Sequence, residues 1–228
     1  MSGWAGLRAL IFDLDGTLYD SPGLLQEGPR LAVALISERL GLSLEAAEQR
    51  FCEERERIEG KRGSRPSSTE VMLSLTGVSL EEWAAYMSAR VDPARFIRPE
   101  DYGWLRDLLA ALHRRYRLGI VSNNNRVLAE RILNVLGILD CFDAILTISE
   151  SRRVKPDPTL YTDMAAMLGV PPEQCLSIGD RLAIDITPAE QAGMRGALVR
   201  GPEDLRALGA TLLAAAGECN ECPSRSVS

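Results

Sequence analysis

The chain has 228 residues, 46% of them apolar and 25% charged, with a formal net charge of −6. That is enough apolar material for the core of one soluble domain, or of a domain with a modest insertion. The acidic balance excludes a general nucleic-acid binder, and no apolar run is long enough to cross a bilayer. Met1 to Leu7 lacks the basic-then-apolar pattern of a secretory signal, so a cytoplasmic location is expected. One histidine, His113, excludes a histidine-rich zinc site. The chemistry is left to carboxylates, a lysine, hydroxyls and a hard, oxygen-binding ion.

Ala9 to Phe12 is an apolar run with the length of a buried parallel strand. Gly16 breaks it, so Asp13 and Asp15 fall at or just past the strand's C-terminal end. Residues two apart on an extended chain point the same way, with α-carbons about 6.6 Å apart. Two carboxylates so placed beside a permissive glycine call for a cation, a proton-transfer task or both. The alternative is a surface turn with two solvated acids. Leu18 to Gly28 reads as a connector containing Pro22 and Gly23, followed by one helix after another. Pro29 fits the first position of a helix running to about Leu40, with Leu31, Leu35 and Ile36 as its apolar stripe. Ser43 caps a second helix over roughly Leu44 to Glu59. Ser67 with Glu70 and Ser79 with Glu82 have the offset of capping boxes, each opening a short helix. Gly60-Lys-Arg-Gly-Ser-Arg65 is a basic, flexible stretch between two of these predicted helices. Its ordinary reading is a solvated loop; its functional reading is that Lys61, Arg62 or Arg65 meets an anionic group on a substrate. Asp92-Pro93 and Pro99 mark a boundary. The expected division is an all-α insertion over 19–97, a core made of 1–18 and 98–216, and a disordered tail over 217–228.

From Glu100 helix and strand alternate. A helix is predicted over about 100–115 with His113 in its last turn, then a strand at Leu118 to Val121. A helix over about 126–136, a strand over about 143–148 and a helix from Pro158, capped by Asp157, come next. Then follow a strand at Cys175 to Ile178, a helix over about 183–192, a strand at Gly196 to Val199 and a last helix over about 203–215. This alternation specifies an α/β fold, a Rossmann-like parallel sheet with helices on both faces. Cys52, Cys141 and Cys175 sit in apolar surroundings. Cys219-Asn-Glu-Cys222 has the spacing of a metal or redox pair, but it lies in a polar tail without a second pair and reads as a frayed end.

Three strands end in chemically loaded residues: Asp13, Ser122-Asn123 and Gly179-Asp180. In open parallel sheets ligands bind beyond the carboxyl ends of the strands, so these are candidates for one pocket. Ser122 offers a hydroxyl, and Asn123-Asn124 lead into a helix N-terminus whose amides suit a phosphate; a capped polar turn is the alternative. Lys155 precedes the rigid Pro156-Asp157-Pro158 and in this company reads as a charge clamp, though alone it would be a surface lysine. Asp180 suits a metal. Asp185, about one helical turn on, could orient Lys155 or a metal-bound water, or could be a helix-surface acid. Together these parts describe phosphoryl transfer in which one aspartate attacks phosphorus and the other donates a proton.

Asp13-Leu-Asp-Gly-Thr17, Ser122-Asn123, Lys155-Pro-Asp-Pro158 and Gly179-Asp180 with Asp185 resemble the four ordered motifs of the haloacid dehalogenase superfamily. The likeness spans nearly the whole chain, and the helical block after the first motif is similar to that family's α-helical cap. The resemblance implies Asp13 as the nucleophile that forms an aspartyl-phosphate and Asp15 as the general acid that then activates water. It implies Mg2+ on Asp13, the Asp15 carbonyl and Asp180. Ser122, Asn123 and Lys155 would bind phosphate, with Thr17 and Asp185 in support. One departure is Ser151-Arg-Arg153-Val154 ahead of the lysine, where relatives often carry a glycine and a longer spacer. Asp15 separates the superfamily's chemistries, because a halide leaving group needs no acid whereas an alkoxide must be protonated. A phosphomonoesterase acting on a small phosphorylated metabolite is therefore expected. Nucleoside monophosphates, phosphoglycolate and sugar phosphates stay open, with Phe96-Ile-Arg-Pro99 similar to pyrimidine nucleotidases. A phosphosugar mutase is the alternative; a dehalogenase or a non-catalytic binding module ranks below it. No nucleic-acid or membrane partner is expected, and the oligomeric state is open.

Overall fold

The computed structural model describes residues 4–63 and 65–218. The side chains of Arg62 and of residues 216–218, and the tail carrying Cys219 and Cys222, lie outside the described residues. Five strands form one parallel sheet: β1 (Ala9–Phe12), β2 (Arg117–Val121), β3 (Ala144–Leu146), β4 (Cys175–Gly179) and β5 (Arg195–Leu198), in the order β3-β2-β1-β4-β5. β1 is central, with Phe12 opposite Ile120 on one side and Ile178 on the other. The chain runs outward from β1 to β3, then returns across β1 to β4. Its order thus reverses at β1 and β4, and a crevice opens beyond their C-terminal ends.

All four β1 residues are buried, as a central strand covered on both faces requires. Leu10 and Phe12 enter one apolar cluster with Leu118, Ile120, Leu176 and Ile178; Ala9 and Ile11 enter another with Val121 and Leu146. Period-two alternation deals the strand's side chains to opposite faces. The first face is covered by α5 (Gly103–His113), α6 (Arg126–Val135) and α10 (Pro202–Glu218), and the second by α8 (Thr159–Leu168) and α9 (Thr187–Gln191).

Between β1 and β2 lie α1 (Pro22–Leu40), α2 (Leu44–Arg62), α3 (Ser68–Thr76) and α4 (Leu80–Arg90). Ser67 and Glu70 form the expected capping box on α3, and Ser79 accepts from the Glu82 amide at the start of α4. α1 departs from expectation by starting at Pro22, with Pro29 inside it. Pro22 occupies the first turn, where a missing N–H costs nothing. The interior Pro29 forfeits one amide bond, and the buried stripe of Leu24, Leu31, Leu35 and Ile36 carries the helix past it. The basic stretch read as a loop is helical up to Arg62, and Gly63, at φ +74°, ends the helix in the left-handed conformation. The strand expected over 143–148 stops at Leu146, because Thr147 and Glu150 form a capping box that opens a short helix, α7 (Ile148–Ser151). The helix expected over 183–192 begins as a wide π turn at Leu182–Ile186 before α9. Among the described residues no helix is long and apolar enough to cross a membrane.

Candidate active site

The end of β1 is locked to β4: the Asp13 amide donates to the Ile178 carbonyl at 2.9 Å, extending the ladder one residue past the strand. Gly16 then takes φ +80°, and a Cβ there would lie 2.7 Å from Asp180 Oδ2. At Gly179 a Cβ would lie 2.3 Å from Asp185 Cβ. These glycines let the acids of β4 close on the acids of β1.

Lys155 is 1% exposed; its ammonium donates to Asp13 Oδ1 at 2.5 Å and to Asp185 Oδ1 at 2.7 Å. It is a buried clamp and not a surface lysine. Asn123 holds its backbone from both sides, with Oδ1 accepting from the Lys155 amide at 2.7 Å and Nδ2 donating to its carbonyl at 3.4 Å. The Asn123 side chain is thus engaged on the lysine, leaving its backbone for the expected phosphate contact. Asp185, carried inward by the π turn, is 1% exposed and spends its second oxygen on the Arg181 amide at 3.0 Å. Its first oxygen accepts from the Lys155 ammonium, and its burial sets it apart from a helix-surface acid. Ser122 is buried, and its oxygen accepts from the Asn124 amide at 3.1 Å, which leaves its own O–H to donate. Thr17 is buried too, with Oγ1 unpartnered among the described residues.

Asp15 is held at both oxygens. Tyr19 donates its hydroxyl to Oδ1, and Asn124 donates Nδ2 to Oδ2 at 2.7 Å. Neither partner stood out as a site residue. Tyr19 falls in the stretch read as a connector, and Asn124 meets Asp15 across 109 positions of sequence.

Burial pushes the carboxyl of Asp13 up to about 7; Asp185 adds to the rise and Lys155 and Arg181 oppose it. Burial likewise raises Asp180 and Asp15. For Lys155 burial works against the charge, but Asp13 and Asp185 outweigh it and hold the ammonium above its ordinary range. Positive charge is also short around the buried acids: among the described residues Asp13, Asp15, Asp180 and Asp185 face Lys155 and Arg181, whose Nε lies 3.8 Å from Asp180 Oδ1. Oxygens of Asp13, Asp180 and Asp185 lie within 4.8 Å of one another. Asp13 Oδ2 and Asp180 Oδ1 are buried without a hydrogen-bond partner among the described residues. Orphaned oxygens, an all-oxygen donor set and two missing positive charges fit a hard divalent cation.

A cleft of about 650 Å³ opens beside these groups, reaching them at Asp15 and Asp180. Asp15, Asn124, Asp180 and Arg181 line its sheet side; Phe51, Arg55, Arg65 and Trp83 line its helical side. Of the predicted basic stretch, Arg65 reaches the cleft and the exposed Lys61 does not line it. The side chain of Arg62 is outside the described residues. Arg55 was not anticipated: it lies on α2, a helix so thick with charge that sequence does not single out one face.

The family model for haloacid dehalogenase-like hydrolases matches residues 7–193. A glyceraldehyde 3-phosphate phosphatase of Methanopyrus kandleri is 30% identical over 191 residues, covering 82% of each chain. A β-phosphoglucomutase of Bacillus subtilis is 30% identical over 202 residues, 82% of this chain and 81% of that one. The solved structure of a phosphatase from Thermococcus onnurineus superposes with a TM-score of 0.63 at 24% identity, over 89% of this chain and 97% of the other, a likeness of fold.

Proposed function

This chain belongs to the haloacid dehalogenase-like hydrolases, and from that premise we propose that it is a magnesium-dependent phosphomonoesterase acting on a small phosphorylated metabolite through an aspartyl-phosphate on Asp13. The observation that carries the reading is the pairing of two acids beside the cleft. Asp13 is gripped by a buried lysine, and Asp15, two residues on, lines the cleft, where it would serve a leaving group. Asp13, Asp180 and the backbone carbonyl of Asp15 would hold Mg2+. When bound, the ion supplies the positive charge that lets a phosphate dianion approach a group of carboxylates.

The chain's own residues account for the rest. Lys155 fixes the Asp13 carboxylate through two of the ammonium donors used on Asp13 and Asp185; the third is free for a phosphate oxygen. The Ser122 hydroxyl donates to another. A carboxylate oxygen of Asp13 forms a bond to phosphorus as the bond to the leaving oxygen breaks. That oxygen takes the proton of Asp15. Water then attacks the acyl phosphate and gives its proton to Asp15. Inorganic phosphate leaves, and both side chains return to their starting state. Thr17 and Asp185 support the geometry, Asp185 through Lys155. Asn123 acts by holding Lys155, with its backbone beside the phosphate.

Residues 19–97 act as a cap over the core of 1–18 and 98–216, closing the cleft against water and reading the leaving group. Arg65, on the cleft wall, is assigned to that recognition. The enzyme's expected setting is the cytoplasm. A second reading, a phosphosugar mutase, is favoured by the β-phosphoglucomutase relative; it would use the same residues and return the phosphoryl group to a sugar. The test is a phosphate-release screen over a metabolite panel with magnesium and with a chelator. Magnesium-dependent release is expected. Isomerisation of a sugar phosphate without release would favour the mutase, and no reaction with any ester would defeat both.

A further inference from the structure

We propose that Tyr19 and Asn124 are positioning residues that aim the Asp15 carboxyl at the leaving-group oxygen; this rests on the phosphomonoesterase reading above. An aspartate's last torsion is broad and roughly two-fold, so one hydrogen bond holds one oxygen while the carboxyl plane swings. Here each oxygen has its own donor, arriving from different parts of the chain: the Tyr19 hydroxyl on Oδ1 and the Asn124 amide on Oδ2, the latter at 2.7 Å. Each donor fills one acceptor position on its oxygen, and the plane is fixed. Both donors are fixed in turn. The Gly16 amide donates to the Tyr19 carbonyl at 3.0 Å, folding the chain back so that Tyr19 meets Asp15. Asn124 is held by its amide on Ser122 Oγ and by its carbonyl, which accepts from the Ile148 amide at 3.2 Å. The loop that presents Ser122 to phosphate therefore also sets the angle of the acid.

Tyr19 offers a clean probe. It is fully buried and does not line the cleft, so it reaches the substrate only through Asp15. A purely structural tyrosine would affect all substrates alike. An aiming tyrosine would matter in proportion to how much the leaving group needs a proton. The measured quantity is kcat/KM, which stops at leaving-group departure and does not include hydrolysis of the aspartyl-phosphate.

The experiment compares para-nitrophenyl phosphate, whose phenolate leaves readily, with benzyl phosphate, whose alkoxide does not, in full-length protein with magnesium. Tyr19→Phe is expected to lower kcat/KM for benzyl phosphate about tenfold more than for para-nitrophenyl phosphate, a fraction of what a general acid contributes. In an Asp15→Asn background the same change should add nothing to that ratio. Equal losses on the two esters, or a full additional loss in the Asp15→Asn background, would overturn the proposal. Should Tyr19→Phe fail to fold, Asn124→Leu carries the same test, and equal losses there count against the proposal in the same way. Wild-type protein that releases no phosphate refutes the phosphomonoesterase reading itself. Active wild type with leaving-group-blind variants refutes only the aiming role.

Discussion

Without a divalent cation, the protein's stability should depend on pH in a direction fixed by Asp13. Burial and Asp185 raise its carboxyl from the ordinary 3.8 to about 7. The folded chain therefore holds this proton more tightly than the unfolded one. The stabilisation is fully present below the unfolded value and is lost as pH rises through the folded value. At ~1.4 kcal/mol per unit, the full shift is worth ~4 kcal/mol, of which ~2 falls between about pH 5 and pH 7. For a chain of this size that is a fall in Tm of roughly 4–8 °C. Asp15 and Asp180 are raised too and act in the same direction. With one histidine in the chain, little else titrates in this window. A cation on the orphaned oxygens of Asp13 and Asp180 favours their ionised forms, so saturating magnesium should flatten the curve. The assay is thermal unfolding in EDTA and in magnesium across this range. The gap between the two Tm values should widen as pH rises, and Asp13→Asn should remove most of the slope. A gap of the same size at both ends, or a flat curve in EDTA, would refute the charge deficit as the reason the site needs an ion.

Three further outcomes follow from the same geometry. Lys155→Met leaves the buried acids Asp13 and Asp185 without their shared cation and should cost ~3–5 kcal/mol in urea unfolding near neutral pH, less in acid, where Asp13 is protonated. Gly179→Ala puts a methyl group 2.3 Å from Asp185 Cβ; it should cost ~1–3 kcal/mol by overpacking and lower kcat by displacing Asp185 from Lys155, both read in purified protein. Arg65→Ala should raise KM for the best substrate several-fold while Lys61→Ala leaves it within about twofold, since only Arg65 lines the cleft; equal effects would argue against recognition by that wall.

The parallel sheet was legible in the alternation of apolar strands and helices, while several of the helices around it were not. Asp13, Asp15 and Asp180 announce themselves because an apolar run ending in acid and glycine has few structural uses, and the strands that bear them have unbroken apolar sequences. The Lys155 clamp could be read only in company, as its burial depends on Asp13 142 positions away. Pro29 misled because proline is read locally as a helix start, whereas α1 is held together across it by a buried face. The π turn at Leu182–Ile186 has no composition of its own, yet it turns Asp185 inward. Tyr19 and Arg55 escaped notice, and Asn124 was read for its backbone amide and not its side chain, because these contacts are set by which way tertiary packing points the side chains.

The central claim is tested most directly by catching the phosphoryl group on the protein. Turnover in magnesium is quenched with borohydride, which reduces an acyl phosphate to an alcohol, and the modified residue is mapped by mass spectrometry. Reduction at Asp13, absent without substrate and absent in Asp13→Asn, is the predicted result. An enzyme that releases phosphate while Asp13 stays unmodified and another side chain carries the label would contradict the account.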